Sequence, residues 1–396
     1  MKSIFALIIL LFASHASACA WDHDTLYEEE KGVENIRDLI IGNFIRNPPR
    51  YYEMRLERVS KILETDINNL DLYDDASVAC DRLHQFDEAI VWQKKKLAAL
   101  ERLSYDGAKH KQPNHRYRHL ANLGTHYVHR WLFSEDRWAD RTDAETARDL
   151  IKAAIVENPN AHFGREIYQL RAIESILAQT DLEPTDELRY LNNIADEDKQ
   201  ASIDGIAGMI RLGAGWNSVD FFAALAEAFG RTHRQQLAAL CIERVKELLR
   251  TGFLPLLPTN FDRLLVPDKD LRDLVDLDSR ATNGDSEKAF PVYRSQVESW
   301  YLARVKYMDK QFDTGKHPDT HPDFWAGFTL NRDRAELTSA DEITGNSYGV
   351  DPLATTLYIV LGGLALFVFL IFFVPGFLIY RHYKNKPTPD HPMYQN

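Results

Sequence analysis

Between residues 70 and 250, small and large apolar positions recur in a spacing that predicts pairs of closely packed helices. The clearest instance is DFFAALAEAFGRTHRQQLAALCIERVKELL, residues 220–249, where Ala226 is followed by Phe229, and Ala238, Ile242 and Val245 stand on the next helix. Antiparallel helices approach closely only where a small side chain faces the partner and a large one fills the space beside it. A second instance sets Leu123, Gly124 and Tyr127 against Ala147, Ile151 and Ala154, with Asn158-Pro159 closing the second helix. It carries an insertion, Phe133 to Thr142, between its helices. In the third, residues 72–97, Ser77, Cys80, Phe86 and Ala89 keep the spacing, but Gln93 and Lys96 stand where apolar or small residues are preferred.

Outside these pairs, Pro48-Pro49 opens a helix, YYEMRLERVSKIL, with Tyr52, Leu56, Val59 and Leu63 on one face. After Gly252, the prolines at 255, 258 and 267 break the helical run, and a capping region is expected over 253–312. Its last helix, Ser295 to Phe312, is expected to pack Val297, Trp300, Tyr301 and Val305 back onto the repeats. Residues 313–352, rich in Asp, Thr, Pro, Gly and Asn, read as a stalk.

The two ends carry patterns of another kind. Leu357 to Tyr380 is an uncharged apolar run followed by Arg381, Lys384 and Lys386, which predicts a transmembrane helix over 353–380 and a cytoplasmic tail over 381–396. Lys2, the apolar stretch Ile4 to Phe12 and Ala16-Ser17-Ala18 predict a signal peptide over 1–18. The expected product is a single-pass membrane protein with its N-terminal domain exported, in a bacterial inner membrane. The exported part has no Asn-x-Ser/Thr acceptor, which favours a bacterial envelope.

A net charge of −12 argues against a nucleic-acid surface, and 45% hydrophobic residues suffice for a large core. Three cysteines are too few for a disulfide framework. Cys19 sits at the processing site, where lipidation is an alternative; Cys80 and Cys241 fall in helices and read as inert core residues.

On the three helix-pair spacings, residues 19–252 resemble the tetratricopeptide repeat family, whose helix pairs recur about every 34 residues. The resemblance implies an all-α fold, a TPR-like α-solenoid or helical-repeat domain. It also implies a scaffold whose helical surface binds a peptide or an envelope protein, with Asn122, Thr125 and His129 as expected contacts and self-association as a further possibility.

Candidate chemistry is sparse. His115, His119, His126 and His129 share one helix face, two of them four apart, which offers metal ligands to a metal-dependent hydrolase or metal-binding protein as the alternative reading. A polar binding face is the simpler account of them. Trp21-Asp22-His23-Asp24 could hold a metal through His23 and the two carboxylates, against a segment that is frayed or docked by its tryptophan. Residues 276–287 have the length of a calcium loop, but Arg280 and Ala281 stand where an oxygen ligand and the turn glycine belong. HPDFWAGFTL, residues 321–330, looks like a closing strand of caspase-related peptidases without the His and Cys context those need. No nucleophile elbow, phosphate loop, paired CxxC or zinc-protease helix occurs, so no catalytic residue or cofactor is assigned.

Overall fold

A computed structural model describes residues 21–24, 36–106, 114–159, 165–178, 199–212, 215–256 and 285–329. Among the described residues there is no strand. The helices are α1 (Ile36–Ile41), α2 (Pro49–Leu63), α3 (Leu70–Arg82), α4 (Phe86–Arg102), α5 (His115–Leu132), α6 (Thr142–Glu157), α7 (Arg165–Leu177), α8 (Lys199–Leu212), α9 (Val219–Arg231), α10 (Gln235–Arg250) and α11 (Asp285–Phe312).

Consecutive helices pack as pairs, most extensively α5 with α6, α3 with α4 and α9 with α10. The reason is visible at Gly124: a Cβ built there would lie 2.9 Å from Ile151 Cδ1, so only glycine lets α5 and α6 come this close. Ile151, Ala147 and Ala144 then join Val128, Trp131 and Leu132 in one core cluster. The turns within two of the pairs are the same. Gln85 donates its N–H back to the Cys80 carbonyl (2.8 Å), as Arg234 does to Phe229 (2.9 Å). Each turn is reversed by a histidine in the left-handed region, His84 at φ 60° and His233 at φ 58°.

The late part of the chain packs back onto its start. Arg294 on α11 donates to the Ile41 carbonyl at 2.9 Å, and Arg304 to the Arg46 carbonyl at 2.8 Å. Tyr51 on α2 shares a core cluster with Met308, Phe312 and Phe324. Residues 313–329, expected within a stalk, form turns laid against α2. The helix α11 begins ten residues before the expected Ser295 and contains Pro291. On α2, Val59 and Leu63 are buried as expected, while Tyr51 and Arg55 are buried in place of Tyr52 and Leu56, which are half-buried. Arg55 can be buried because three carboxylates meet it.

The expected membrane-anchored solenoid is corrected to an all-α bundle of paired helices whose first and last described elements touch. No helix among the described residues is long and apolar enough to cross a membrane. The expected span at 353–380, the tail at 381–396, the signal at 1–18 and Cys19 all lie outside the described residues. Single-pass topology, the membrane partner and the inner-membrane location drawn from that span therefore have no support here and are set aside. The calcium-loop segment 276–284 is also outside, whereas 321–328 forms turns and no strand. Cys80 and Cys241 are free and buried, with burial pushing the Cys80 thiol up to about 12 and Cys241 well above its ordinary value.

Candidate metal centre

The helix face expected to bind a partner is interior. Asn122 and Thr125 are fully enclosed, and His129 is buried. Their bonds explain this. Asn122 donates to Asp74 Oδ1 (3.0 Å), Thr125 Oγ1 accepts from Gln169 Nε2 (3.2 Å), and His129 Nδ1 faces Asp81 Oδ1 (2.7 Å). Exposed contacts for a partner are therefore not what these residues supply, and the scaffold reading built on them is withdrawn.

The four histidines on α5 are also buried, and they turn to different neighbours. The His115 ring meets Tyr105 edge-on at 5.7 Å, and His119 Nδ1 lies 3.1 Å from Gln93 Oε1. His126 joins His129 on Asp81, at 3.0 Å. Burial alone would raise Asp81, but the His129 and His126 imidazoles outweigh it and hold the carboxylate well below its ordinary range. Among the described residues, these histidines do not form a group whose ligand atoms lie close enough to share an ion.

The group that does is His23, Asp24 and Asp319, whose ligand atoms all lie within 4.8 Å of one another. His23 Nε2 lies 3.4 Å from Asp24 Oδ1 and 3.3 Å from Asp319 Oδ1. Three separate parts of the chain build it: the segment 21–24, α2 beneath, and the turn after α11. The His23 side chain is 43% exposed, while that of Asp319 is 6% exposed, so the group opens to solvent on the imidazole side.

The carboxylates are fixed from behind. Arg55, fully buried, donates Nη1 to Asp22 (3.1 Å) and Asp24 (2.9 Å), and Nε and Nη2 to Asp319 (2.9 Å each). Tyr51 donates its hydroxyl to Asp24 and accepts from Arg55, and Arg58 reaches Asp319 Oδ2 at 2.5 Å. Burial would raise Asp319, yet the bonds from His23 and Arg55 hold it well below the usual carboxylate range. Asp24 is likewise lowered, chiefly by Arg55 working against burial. Asp22 moves the other way: burial and the neighbouring Asp24 raise it. On the far side of the imidazole, His23 Nδ1 lies 3.1 Å from both oxygens of Asp75. Burial opposes protonation of His23, but the bonds to Asp319 and Asp75 outweigh it and raise the imidazole to about 10.

The sequence pointed to His23 and Asp24 but paired them with Asp22, which instead serves Arg55. Asp319 had no signal of its own, because nothing local in HPDTHPD, residues 317–323, shows that it meets residue 23. No family model matches this chain, and no curated protein or solved structure does either.

Proposed function

We propose that the protein binds a divalent transition-metal ion, such as Zn²⁺ or Mn²⁺, through His23 Nε2, Asp24 Oδ1 and Asp319 Oδ1, the ion replacing the Nε2 proton that Asp319 and Asp75 otherwise hold on the imidazole, so that uptake releases a proton. The spacing carries the reading. Metal–ligand bonds of about 2.0–2.2 Å in a tetrahedral site put neighbouring ligand atoms roughly 3.3–3.6 Å apart. The observed separations from His23 Nε2 are 3.4 and 3.3 Å.

The surroundings fit the same chemistry. A ligating imidazole characteristically gives its other N–H to a carboxylate, which Asp75 supplies, and ligating carboxylates are themselves hydrogen-bonded, here by Arg55, Arg58 and Tyr51. Against the ion stands Arg55, whose Nη2 lies 3.0 Å from His23 Nε2 and 2.9 Å from Asp319 Oδ1, so this positive group must swing away from both ligand atoms for the ion to enter. A bound ion would take Asp24 Oδ1 while the guanidinium keeps Oδ2, and at Asp319 it would displace Arg55 Nη2 from Oδ1 while Nε keeps Oδ2. One imidazole and two carboxylates suit Zn²⁺ or Mn²⁺ better than Cu⁺, which prefers sulfur, or Ca²⁺, which needs more oxygens. Three protein ligands leave a coordination position open toward solvent, the arrangement a metal-dependent hydrolase requires.

The test is metal content and calorimetric titration of the purified chain beside His23→Ala and Asp319→Asn. The reading expects near-stoichiometric Zn²⁺ or Mn²⁺ in the unaltered protein and its loss in both variants, with helical circular dichroism kept. Equal metal uptake by all three proteins, or none by any, would end it.

A further inference from the structure

Two of the three ligands belong to residues 21–24, and that segment is held at Trp21 as well as at the ligands themselves. Asn122 on α5 grips the backbone of Trp21 at both polar groups: its Oδ1 accepts the Trp21 N–H at 2.5 Å, and its Nδ2 donates to the Trp21 carbonyl at 2.9 Å. The same Nδ2 also donates to Asp74 Oδ1 at 3.0 Å, which fixes the orientation of the amide. An aspartate here would face Asp74 with like charge, so the amide is required for the double grip. The Trp21 side chain, 5% exposed, packs with Tyr117, Ala121 and Ala154. Its ring meets Tyr117 edge-on at 5.6 Å, and its Nε1 donates to the Tyr117 hydroxyl at 3.2 Å. One residue beyond Asp22, the His23 N–H donates to Asp75 Oδ1 at 3.1 Å.

We propose that Asn122 is a positioning residue for the metal centre: it clamps Trp21, and the clamp delivers His23 and Asp24 to Asp319, so ion binding and docking of residues 21–24 are coupled. This rests on the metal reading above. No atom of Asn122 touches a proposed ligand atom, so its effect passes through the backbone of the segment. Coupling of this kind is reciprocal: whatever the clamp adds to ion affinity, the ion adds to clamp occupancy.

The experiment combines Co²⁺ titration, read by its visible spectrum, with hydrogen exchange at the amides of residues 21–24. It uses the full chain, Asn122→Ala, and Trp21→Ala, which removes the segment's anchor, with helical circular dichroism recorded for each. Both variants should bind Co²⁺ about 10–100-fold more weakly, the range seen when a residue supporting a ligand is lost. The spectrum of the bound ion should be unchanged, because the ligands are. Exchange at residues 21–24 should be faster in both variants and slow again at saturating Co²⁺. Unaltered Co²⁺ affinity in both variants, with the full chain binding normally, overturns the clamp and leaves the metal reading standing. If the full chain binds no Co²⁺, the metal reading falls and the coupling with it. Unchanged exchange in Asn122→Ala overturns the clamp whatever the metal does.

Discussion

His115 and His119 are held neutral inside α5, where burial and then the charge of Lys96 push each imidazole down to about 4. The unfolded chain protonates them near 6.5, so below that pH the unfolded state takes up more protons and stability falls until pH 4. Between pH 7 and pH 5 the loss should be about 1–2 kcal/mol for each histidine, seen as a lower urea midpoint. The lowered carboxylates Asp74, Asp81 and Asp319 stabilise above their unfolded value of 3.8 and are lost only in stronger acid, so they do not contribute to this limb. His23, raised to about 10, acts in the opposite sense: its stabilisation is complete below 6.5 and disappears as pH climbs through 10. Replacing His115 and His119 with glutamine should make the acid limb shallower, down to the part that comes from His84 and His317, both lowered chiefly by burial, and leave the alkaline one.

The same interior explains two positions that broke the expected repeat spacing. Lys96 Nζ bonds Asp74 Oδ2 at 2.5 Å and Gln93 Nε2 bonds Asp74 Oδ1 at 3.1 Å, both wholly buried. The residues are polar because a buried carboxylate needs them, a requirement no helical spacing reveals. Arg118 also meets Asp74, at 2.7 Å. Asp74→Ala leaves buried Lys96 without a carboxylate and Arg118 with Asp71 alone, and should cost about 3–5 kcal/mol in urea unfolding. Lys96→Met leaves Asp74 with Arg118, Gln93 and Asn122 and should cost less; the reverse order would refute this account.

At the scale of the element, the steric logic of small against large was legible, since Gly124 and Ile151 meet as the spacing implied. Gly124→Ala gains helix propensity of about 1 kcal/mol and should nevertheless destabilise, because overpacking a tight contact costs about 1–3 kcal/mol. In an Ile151→Val background, which removes Cδ1 but leaves Cγ1 at 3.0 Å and Leu150 Cβ at 3.2 Å, the same change should cost less than in the unaltered chain. Additive effects in the thermal-unfolding cycle would show that the contact is looser than it stands. The turns were not legible: nothing in a sequence marks His84 and His233 as left-handed, where Gly or Asn would be the usual choice. His233→Gly should raise stability by about 1 kcal/mol. At position 84 the gain should be smaller, because the His84 ring packs edge-on to Phe86 and Phe133. The α11 start was missed because Pro291 reads as a boundary, yet it stands inside the helix, past the first turn, where it removes one helical N–H bond and the helix continues through it.

For the whole molecule, helical class was legible and closure was not. Periodicity reports on neighbours in sequence, whereas Asp319 reaches Arg55 across 264 positions. Two of the three candidate ligands could therefore be read, those within residues 21–24, and the third could not. Asp319→Ala should release residues 313–329 from α2, so that limited proteolysis cuts there while α9 and α10 keep their exchange protection; cleavage no faster than in the unaltered chain would contradict this. The long closure also sets an order in time. Asp22 and Asp24 can find Arg55 as soon as α2 is made, but at roughly 5–20 residues per second Asp319 leaves the ribosome some tens of seconds later. Until then Arg55 lacks one of its three carboxylate partners, and the ligand set is incomplete. A polypeptide that stalls anywhere before residue 319 cannot carry the centre, so possession of the site certifies that synthesis has passed that residue.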